Sequence, residues 1–169
     1  MTRRLTTIAK PTLFLVATAA VLAGCGAGQT PLTSKVKTAA QGLNLQQGSV
    51  KILNAAVVLD GPAVAGAKSA TATVRVVLIN TGNLEDTLLG VSSSSASKVE
   101  ILDDSKAVTT QPLVTEQSVA FGNGTYSLKL TDVAPAPLPG TYLPVTFTFK
   151  LAGELSTQLP VLAAADATE

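Results

Sequence analysis

The stretch Val145-Thr146-Phe147-Thr148-Phe149-Lys150-Leu151 alternates strictly between apolar and polar side chains. Alternation with a period of two predicts a strand with one buried face, so its four apolar residues are expected to point inward. Ala152-Gly153-Glu154 is expected to form a turn, and positions 155 to 161 continue the alternation on a last strand. The sequence therefore predicts a C-terminal β-hairpin with one hydrophobic face.

Shorter segments of the same pattern run from Val50 to this hairpin, separated by turn signals such as Asn80-Thr81-Gly82-Asn83. The Pro-rich segment 134–140 is expected to be a stiff loop outside the sheets. Many short strands at this spacing, with no helical period after the N-terminal leader, predict an all-β fold, an antiparallel sandwich or barrel-like Greek key. The other strands are predicted at 50–53, 55–59, 71–80, 87–91, 98–102, 117–121 and 125–130.

The N-terminus carries the pattern of a lipoprotein signal peptide. Residues 1–10 are basic, and Pro11 to Ala23 form an apolar run of roughly 20 Å as a helix, too short to span a hydrocarbon core of about 30 Å. The run ends in Leu22-Ala23-Gly24-Cys25, a lipobox that predicts cleavage before Cys25 and acylation of that residue. An ordinary export signal, with Cys25 incidental, is the alternative.

Four segments follow from these patterns. Residues 1–24 are the predicted signal peptide, and residues 25–48 a lipid-anchored flexible tether rich in Gly, Ser, Thr and Gln. Residues 49–162 form the predicted sandwich, and residues 163–169 a loose tail. The predicted location is the extracytoplasmic face of the cell membrane, with the membrane as a partner through the lipid on Cys25.

Composition excludes several functions. The chain contains no histidine, and Cys25 is its only cysteine, so triads that move a proton through imidazole and ordinary zinc or copper sites are not available. Removing Arg3, Arg4 and Lys10 with the leader leaves 9 basic against 11 acidic residues, a formal net charge of −2. Because no basic patch remains, nucleic acid is not an expected partner. No cofactor is predicted.

A few polar groups could nevertheless form sites. Asp103-Asp104 with Glu100 could offer oxygen ligands to Ca²⁺, although adjacent acids at a strand end, like Glu85-Asp86, are more typical of a solvated turn. The serine run 92–95 could act with Lys98 in an unusual enzyme, but a polar loop is the simpler interpretation. The sequence therefore predicts neither a metal site nor catalytic residues.

The order of several motifs resembles that of a known family, the periplasmic copper chaperones called PCu(A)C. The resemblance covers residues 50 to 162 and is carried by these segments: Asn80-Thr81-Gly82, Asp86-Thr87-Leu88-Leu89-Gly90-Val91, Lys98-Val99-Glu100-Ile101 and Val145-Thr146-Phe147-Thr148-Phe149. Gly24-Cys25-Gly26-Ala27-Gly28-Gln29 and the last hairpin also resemble the LpqE-type lipoproteins of actinobacteria. The resemblance implies an immunoglobulin-like or cupredoxin-like Greek-key sandwich, in a divergent, lipid-anchored branch of the copper-chaperone fold.

The chain departs from the copper chaperones at the metal site. Those proteins bind Cu(I) with two His and two Met, as a soft metal prefers. The resemblance places Leu102 and Asp104 at the first ligand positions and Ser127 and Thr131 near the later ones. None of these side chains is a soft ligand, so the copper site is not expected to be retained with the fold.

The sequence favours a non-enzymatic envelope lipoprotein that acts as a binding or protein-interaction module. Its expected partners are envelope proteins or lipids, and the loops 134–140, 81–86 and 103–112 are its candidate contact surfaces. Two alternatives remain open: copper handling through a degraded or non-standard site, and lipid or glycolipid carriage in an apolar cavity. An enzyme with an unusual serine or carboxylate mechanism is a third.

Overall fold

A computed structural model describes residues 42–164 of the chain. Within that range it contains eleven β-strands and no α-helix, and the prediction of an all-β sandwich is confirmed. The predicted signal peptide, Cys25 and most of the C-terminal tail lie outside the described residues. The strands are β1 Leu43–Gln47, β2 Val50–Leu59, β3 Ala70–Asn80, β4 Asp86–Ser92, β5 Lys98–Asp103, β6 Lys106–Val108, β7 Gln111–Leu113, β8 Ser118–Phe121, β9 Tyr126–Val133, β10 Tyr142–Phe149 and β11 Gly153–Leu162.

The strands form two layers that are joined at their edges. The first layer has the order β6-β5-β9-β8-β3-β2, with β1 paired to β2, and the second has the order β11-β10-β4-β7. Most pairs are antiparallel, but Val161 and Leu162 of β11 pair with β2 in parallel and link the layers. The short strands β6 and β7, which are consecutive in the chain, lie at the two outer ends of this strand order.

Alternating side chains fill the space between the layers. In β3, Val74, Val76 and Leu78 are completely buried while the residues between them are half-exposed. In β10, Phe147 and Phe149 are buried with their rings 6.4 Å apart and nearly parallel. Burial of each such side chain contributes about 1.5–3 kcal/mol, so the alternation that predicts the strands also explains their packing.

The C-terminal hairpin forms as predicted, but its turn comes earlier in the chain. Strand β10 ends at Phe149, and the turn is formed by residues 150–152, not by 152–154. Leu151, expected inside, is 57% exposed. The reason is a carboxylate from another strand: Asp86 accepts hydrogen bonds from the backbone N–H groups of Leu151 and Ala152, and these bonds end the ladder.

Leu43–Gln47, which the sequence assigns to the end of the tether, form strand β1. Leu43 and Leu45 pack on the core, and Leu45 lies opposite Ile52 of β2. The Asn44 side-chain oxygen accepts the Asn54 N–H at 2.9 Å, where β2 bulges. Period two is present in Leu-Asn-Leu-Gln, but two apolar residues in a Gln- and Ser-rich segment give a weak signal.

The predicted strands 50–53 and 55–59 are one strand, β2, with the bulge at Asn54, whose φ is 58°. The segment 103–112, expected to be a loop, contains β6 and the start of β7. The prediction of a loop at 134–140 is correct, since no strand includes it.

Strand directions define two ends of the sandwich, which carry different loops. We call the first the proline end; it consists of loops 60–69, 93–97 and 134–141. The opposite end is called the acidic end; it consists of loops 81–85, 104–105, 114–117, 122–125 and 150–152. Of the three predicted contact surfaces, 134–140 therefore lies at one end and the other two at the opposite end.

Candidate functional site

Two buried polar side chains organise the acidic end. Asn80, completely buried at the end of β3, donates through its amide nitrogen to the carbonyls of Leu84 at 2.7 Å and Leu113 at 3.1 Å. Its amide oxygen accepts the Gly82 N–H at 2.9 Å. Since each buried polar group must find partners, one asparagine fixes the course of loop 81–85 and holds it against β7.

Asp86 holds the hairpin turn 150–152 in place in a similar way. Its side chain is 1% exposed, so the expectation of a solvated Glu85-Asp86 turn is wrong for Asp86. Besides the N–H of Thr87 at 2.7 Å, it accepts the N–H groups of Leu151 at 2.8 Å and Ala152 at 2.9 Å. These backbone N–H groups give the buried carboxylate oxygens the hydrogen-bond partners that they would otherwise lack.

These contacts present two leucines to solvent. Leu84 is 71% exposed and Leu151 is 57% exposed, and the backbone of each is bonded to a buried polar side chain. Sequence reasoning missed both anchors, although Asn80 and Asp86 belong to the motifs that carry the family resemblance. The signal that could have found them is a polar residue at an inward position of the period, which both occupy in β3 and β4.

The acidic end also carries an excess of carboxylates. Its loops contain three carboxylates, Glu85, Asp104 and Glu116, and one lysine, Lys150, all of them exposed, a formal net charge of −2. Among residues 42–164, no group of three or more His, Cys, Asp or Glu side chains is placed to hold a metal ion. Glu100 of the proposed Ca²⁺ set instead pairs with Lys98 at 2.8 Å.

The positions that the family resemblance assigns to copper ligands lie at this end in part. Leu102 of β5 is directly opposite Ser127 of β9, and Asp104 follows in the next turn, where its N–H donates to the Thr125 carbonyl at 2.9 Å. Thr131 lies apart from them, opposite Lys98 near the proline end. The strands thus bring three of the four positions together and offer no soft donor atom there.

The serine run 92–95 and Lys98 make separate contacts. The Ser93 hydroxyl accepts the Ser95 N–H at 3.3 Å, and the Lys98 ammonium contacts Glu100. Neither contact pairs a serine with the lysine that the enzyme hypothesis requires.

The proline end contains a surface cleft of about 330 Å³ between the loop 60–69 and the Pro-rich loop. Its lining is mostly apolar, with Leu59, Pro62, Val64 and Pro137 among the contributors, and Asp60 at the side. This volume is at the lower limit of ligand pockets, about 300–1,000 Å³. The cleft lies at the end of the sandwich and not between its layers, unlike the internal cavity that lipid carriage predicts.

The lipobox residues Leu22, Ala23, Gly24 and Cys25 lie outside the described residues, so the structure leaves lipidation as a prediction. Within residues 42–164, no helix is long and apolar enough to cross a membrane.

Solved structures that resemble this one include two PCuAC domains. The copper-bound PCuAC domain from PmoF2 superposes with a TM-score of 0.61 at 21% identity, over 72% of this chain and 98% of that domain. The apo PCuAC domain from PmoF1 gives 0.60 at 22% identity, over 72% and 99%. At such identities the similarity establishes the fold alone.

Sequence comparison is more specific. A search of curated proteins found no match to this chain. The family model of LpqE-like lipoproteins, however, matches residues 50–161, which is more than half of the 169 residues. The chain has the PCuAC fold and belongs to the family of LpqE-like lipoproteins.

Proposed function

We propose that this protein is a non-enzymatic lipoprotein, anchored through Cys25 to the extracytoplasmic face of the cell membrane, that binds an envelope protein through its acidic end. Membership of a lipoprotein family and the lipobox at residues 22–25 support the anchor. The well-packed sandwich supports a scaffold that presents loops.

The observation that carries the binding role is the fixed pair of exposed leucines. Large apolar side chains on a surface favour contact sites, and a contact that is already ordered loses less entropy when a partner binds. Asn80 and Asp86 provide that order for Leu84 and Leu151. The partner that fits has an apolar pocket with a basic rim, because the surrounding loops carry a net negative charge.

Photo-crosslinking in intact cells tests this role. A photoreactive residue at Asn83, which is exposed beside Leu84, is expected to capture one dominant envelope protein. Adding Leu84→Ser with Leu151→Ser should remove most of that product. The control is Leu89→Ser, an exposed leucine within β4, and it should leave the product unchanged. Equal capture by the double variant and this control would contradict the assignment.

Membrane anchoring has its own test. Cys25→Ser should move the protein from the membrane fraction to the soluble fraction, with an unchanged circular dichroism spectrum. A variant that stayed membrane-bound after salt washing would refute anchoring through Cys25.

Copper handling is the second candidate, supported by the fold shared with a copper-bound PCuAC domain. Anaerobic titration with Cu(I) separates the two functions. Stoichiometric binding tighter than about 1 µM, equivalent to about −8 kcal/mol, would favour copper handling over the interaction role. We expect no such binding, because Leu102, Asp104 and Ser127 provide no sulfur or imidazole ligand.

A further inference from the structure

The proline end exposes three large apolar side chains. Val64 is 60% exposed, Leu138 43% and Tyr142 64%. They lie on the loop 60–69, on the Pro-rich loop and at the first residue of β10. Val64 also lines the cleft between the two loops. Three large exposed apolar side chains at one end of a domain favour a contact surface there.

Backbone contacts hold these tips in place. The N–H and the hydroxyl of Thr141 both donate to the Leu138 carbonyl, at 3.1 and 2.6 Å. The Gly140 N–H donates to the carbonyl of Val161 in β11 at 2.9 Å, and the Ala67 N–H donates to the Val64 carbonyl at 3.1 Å. The apolar tips are therefore parts of ordered loops that project beyond the sandwich.

Charge distinguishes this end from the acidic end. The loops 60–69, 93–97 and 134–141 contain one acidic residue, Asp60, and one basic residue, Lys68, and are formally neutral. Asp60 is engaged by the Thr73 hydroxyl at 2.8 Å. An anionic lipid surface repels the acidic end, with its net charge of −2, and does not repel the proline end.

The direction of β1 places its first residue on the side of the proline end. Leu43 lies opposite Ala55 and Gln47 opposite Val50, so β1 runs away from the proline end. Ala55 lies only about 15 Å from that end at 3.3 Å per residue. As the flexible tether that its composition predicts, the segment 26–42 would have an average reach of roughly 20–25 Å, enough to cover this distance.

We propose that the proline end rests on the lipid bilayer, with Val64, Leu138 and Tyr142 in the interfacial layer and the acidic end directed away from the membrane. A tyrosine with an apolar ring and a polar tip suits that layer. The inference relies on the membrane anchoring described under the proposed function. It adds an orientation in which the two exposed leucines of the acidic end remain accessible to a protein partner.

Single-tryptophan reporters test the orientation, since the chain has no tryptophan. Tyr142→Trp reports on the proline end and Leu151→Trp on the acidic end, and both replaced side chains are exposed. The acylated mature protein is reconstituted on vesicles of phosphatidylethanolamine and phosphatidylglycerol. Emission at position 142 should shift to shorter wavelength and be quenched by lipids brominated at about the 5–10 Å depth of interfacial side chains. Emission at position 151 should stay at its value in water.

A further variant tests whether the emission change at position 142 depends on the apolar residues of the proline end. Val64→Ser with Leu138→Ser, in the Tyr142→Trp chain, should return the emission at position 142 towards its value in water while the protein stays on the vesicles. A protein that is bound to vesicles through its lipid but shows solvent-like emission at position 142 overturns the orientation and leaves the anchoring intact. A protein that does not bind vesicles refutes the anchoring itself. A shift that appears only when envelope proteins are added assigns the surface to a protein partner instead.

Discussion

The loops at the two ends of this sandwich are held in place by different kinds of hydrogen bond. At the acidic end, buried Asn80 and Asp86 fix loops through hydrogen bonds from inside the domain. At the proline end, the corresponding polar group is Asp60, which is exposed and bonded to Thr73 on the surface. Loops of similar exposure therefore depend on very different amounts of buried polar structure.

The largest difference is expected between two aspartates. Asp86→Ala leaves the N–H groups of Leu151 and Ala152 without their acceptor, and should lower the free energy of unfolding by about 3 kcal/mol. Asp60→Ala, the matched change at the proline end, should cost about 1 kcal/mol or less because water replaces its contact. Urea unfolding followed by circular dichroism measures both. Equal costs would show that burial of Asp86 does not distinguish the two ends.

A smaller effect is expected from Asn80→Ala, about 2 kcal/mol, because the Leu84 and Leu113 carbonyls and the Gly82 N–H lose their side-chain partner. Loop 81–85 should also lose protection in hydrogen exchange, while loop 60–69 keeps its own. Asn83→Ala, in the same loop but exposed, is the control and should change neither measurement. Loss of protection at both ends would indicate global destabilisation instead of a local anchor.

The sequence predicts much of this fold because strand periodicity is a local property. The alternation in 71–80 and 145–149 depends only on which face of each strand is buried, and the structure agrees. The anchors could not be predicted in the same way. Asp86 acts on Leu151 and Ala152, 65 and 66 residues further along the chain, and only tertiary pairing of β4 with β10 brings them together. The early hairpin turn and the exposed Leu151 follow from that one distant contact.

The sequence predicts some features of the candidate site and not others. Because the sequence contains no histidine, composition alone predicts that an ordinary zinc or copper site is not available. The positions Leu102, Asp104 and Ser127 were identified through the family resemblance, and the structure places them together at the acidic end. The cleft between Val64 and Pro137 could not be predicted, since loops that meet in space leave no periodic pattern in the sequence.

Introducing soft ligands tests whether the acidic end can hold a metal ion. Because Leu102 and Ser127 face each other, Leu102→His with Ser127→Met places two soft donors on side chains about 5 Å apart at Cβ. This variant should bind Cu(I) at least about tenfold more tightly than the parent, a gain of about 1.4 kcal/mol. Lys129→His with Thr146→Met is the control, because those positions lie on strands that do not pair. Anaerobic competition titration measures the affinities, and equal binding by the two variants would show that the scaffold no longer supports a metal.

The smallest effect should come from the exposed apolar residues themselves. Leu84→Ser at the acidic end and Val64→Ser at the proline end remove side chains that are 71% and 60% exposed, so each should change the free energy of unfolding by no more than about 0.5 kcal/mol. If both variants change the free energy of unfolding equally and by nearly zero, Asn80 and Asp86 account for the different stability of the two ends. Leu84 and Val64 then remain available for contacts outside the domain. A cost above about 1 kcal/mol for Leu84→Ser would mean that this leucine stabilises its own loop. In that case Leu151 alone would remain to contact the partner. Urea unfolding of the two variants measures both costs.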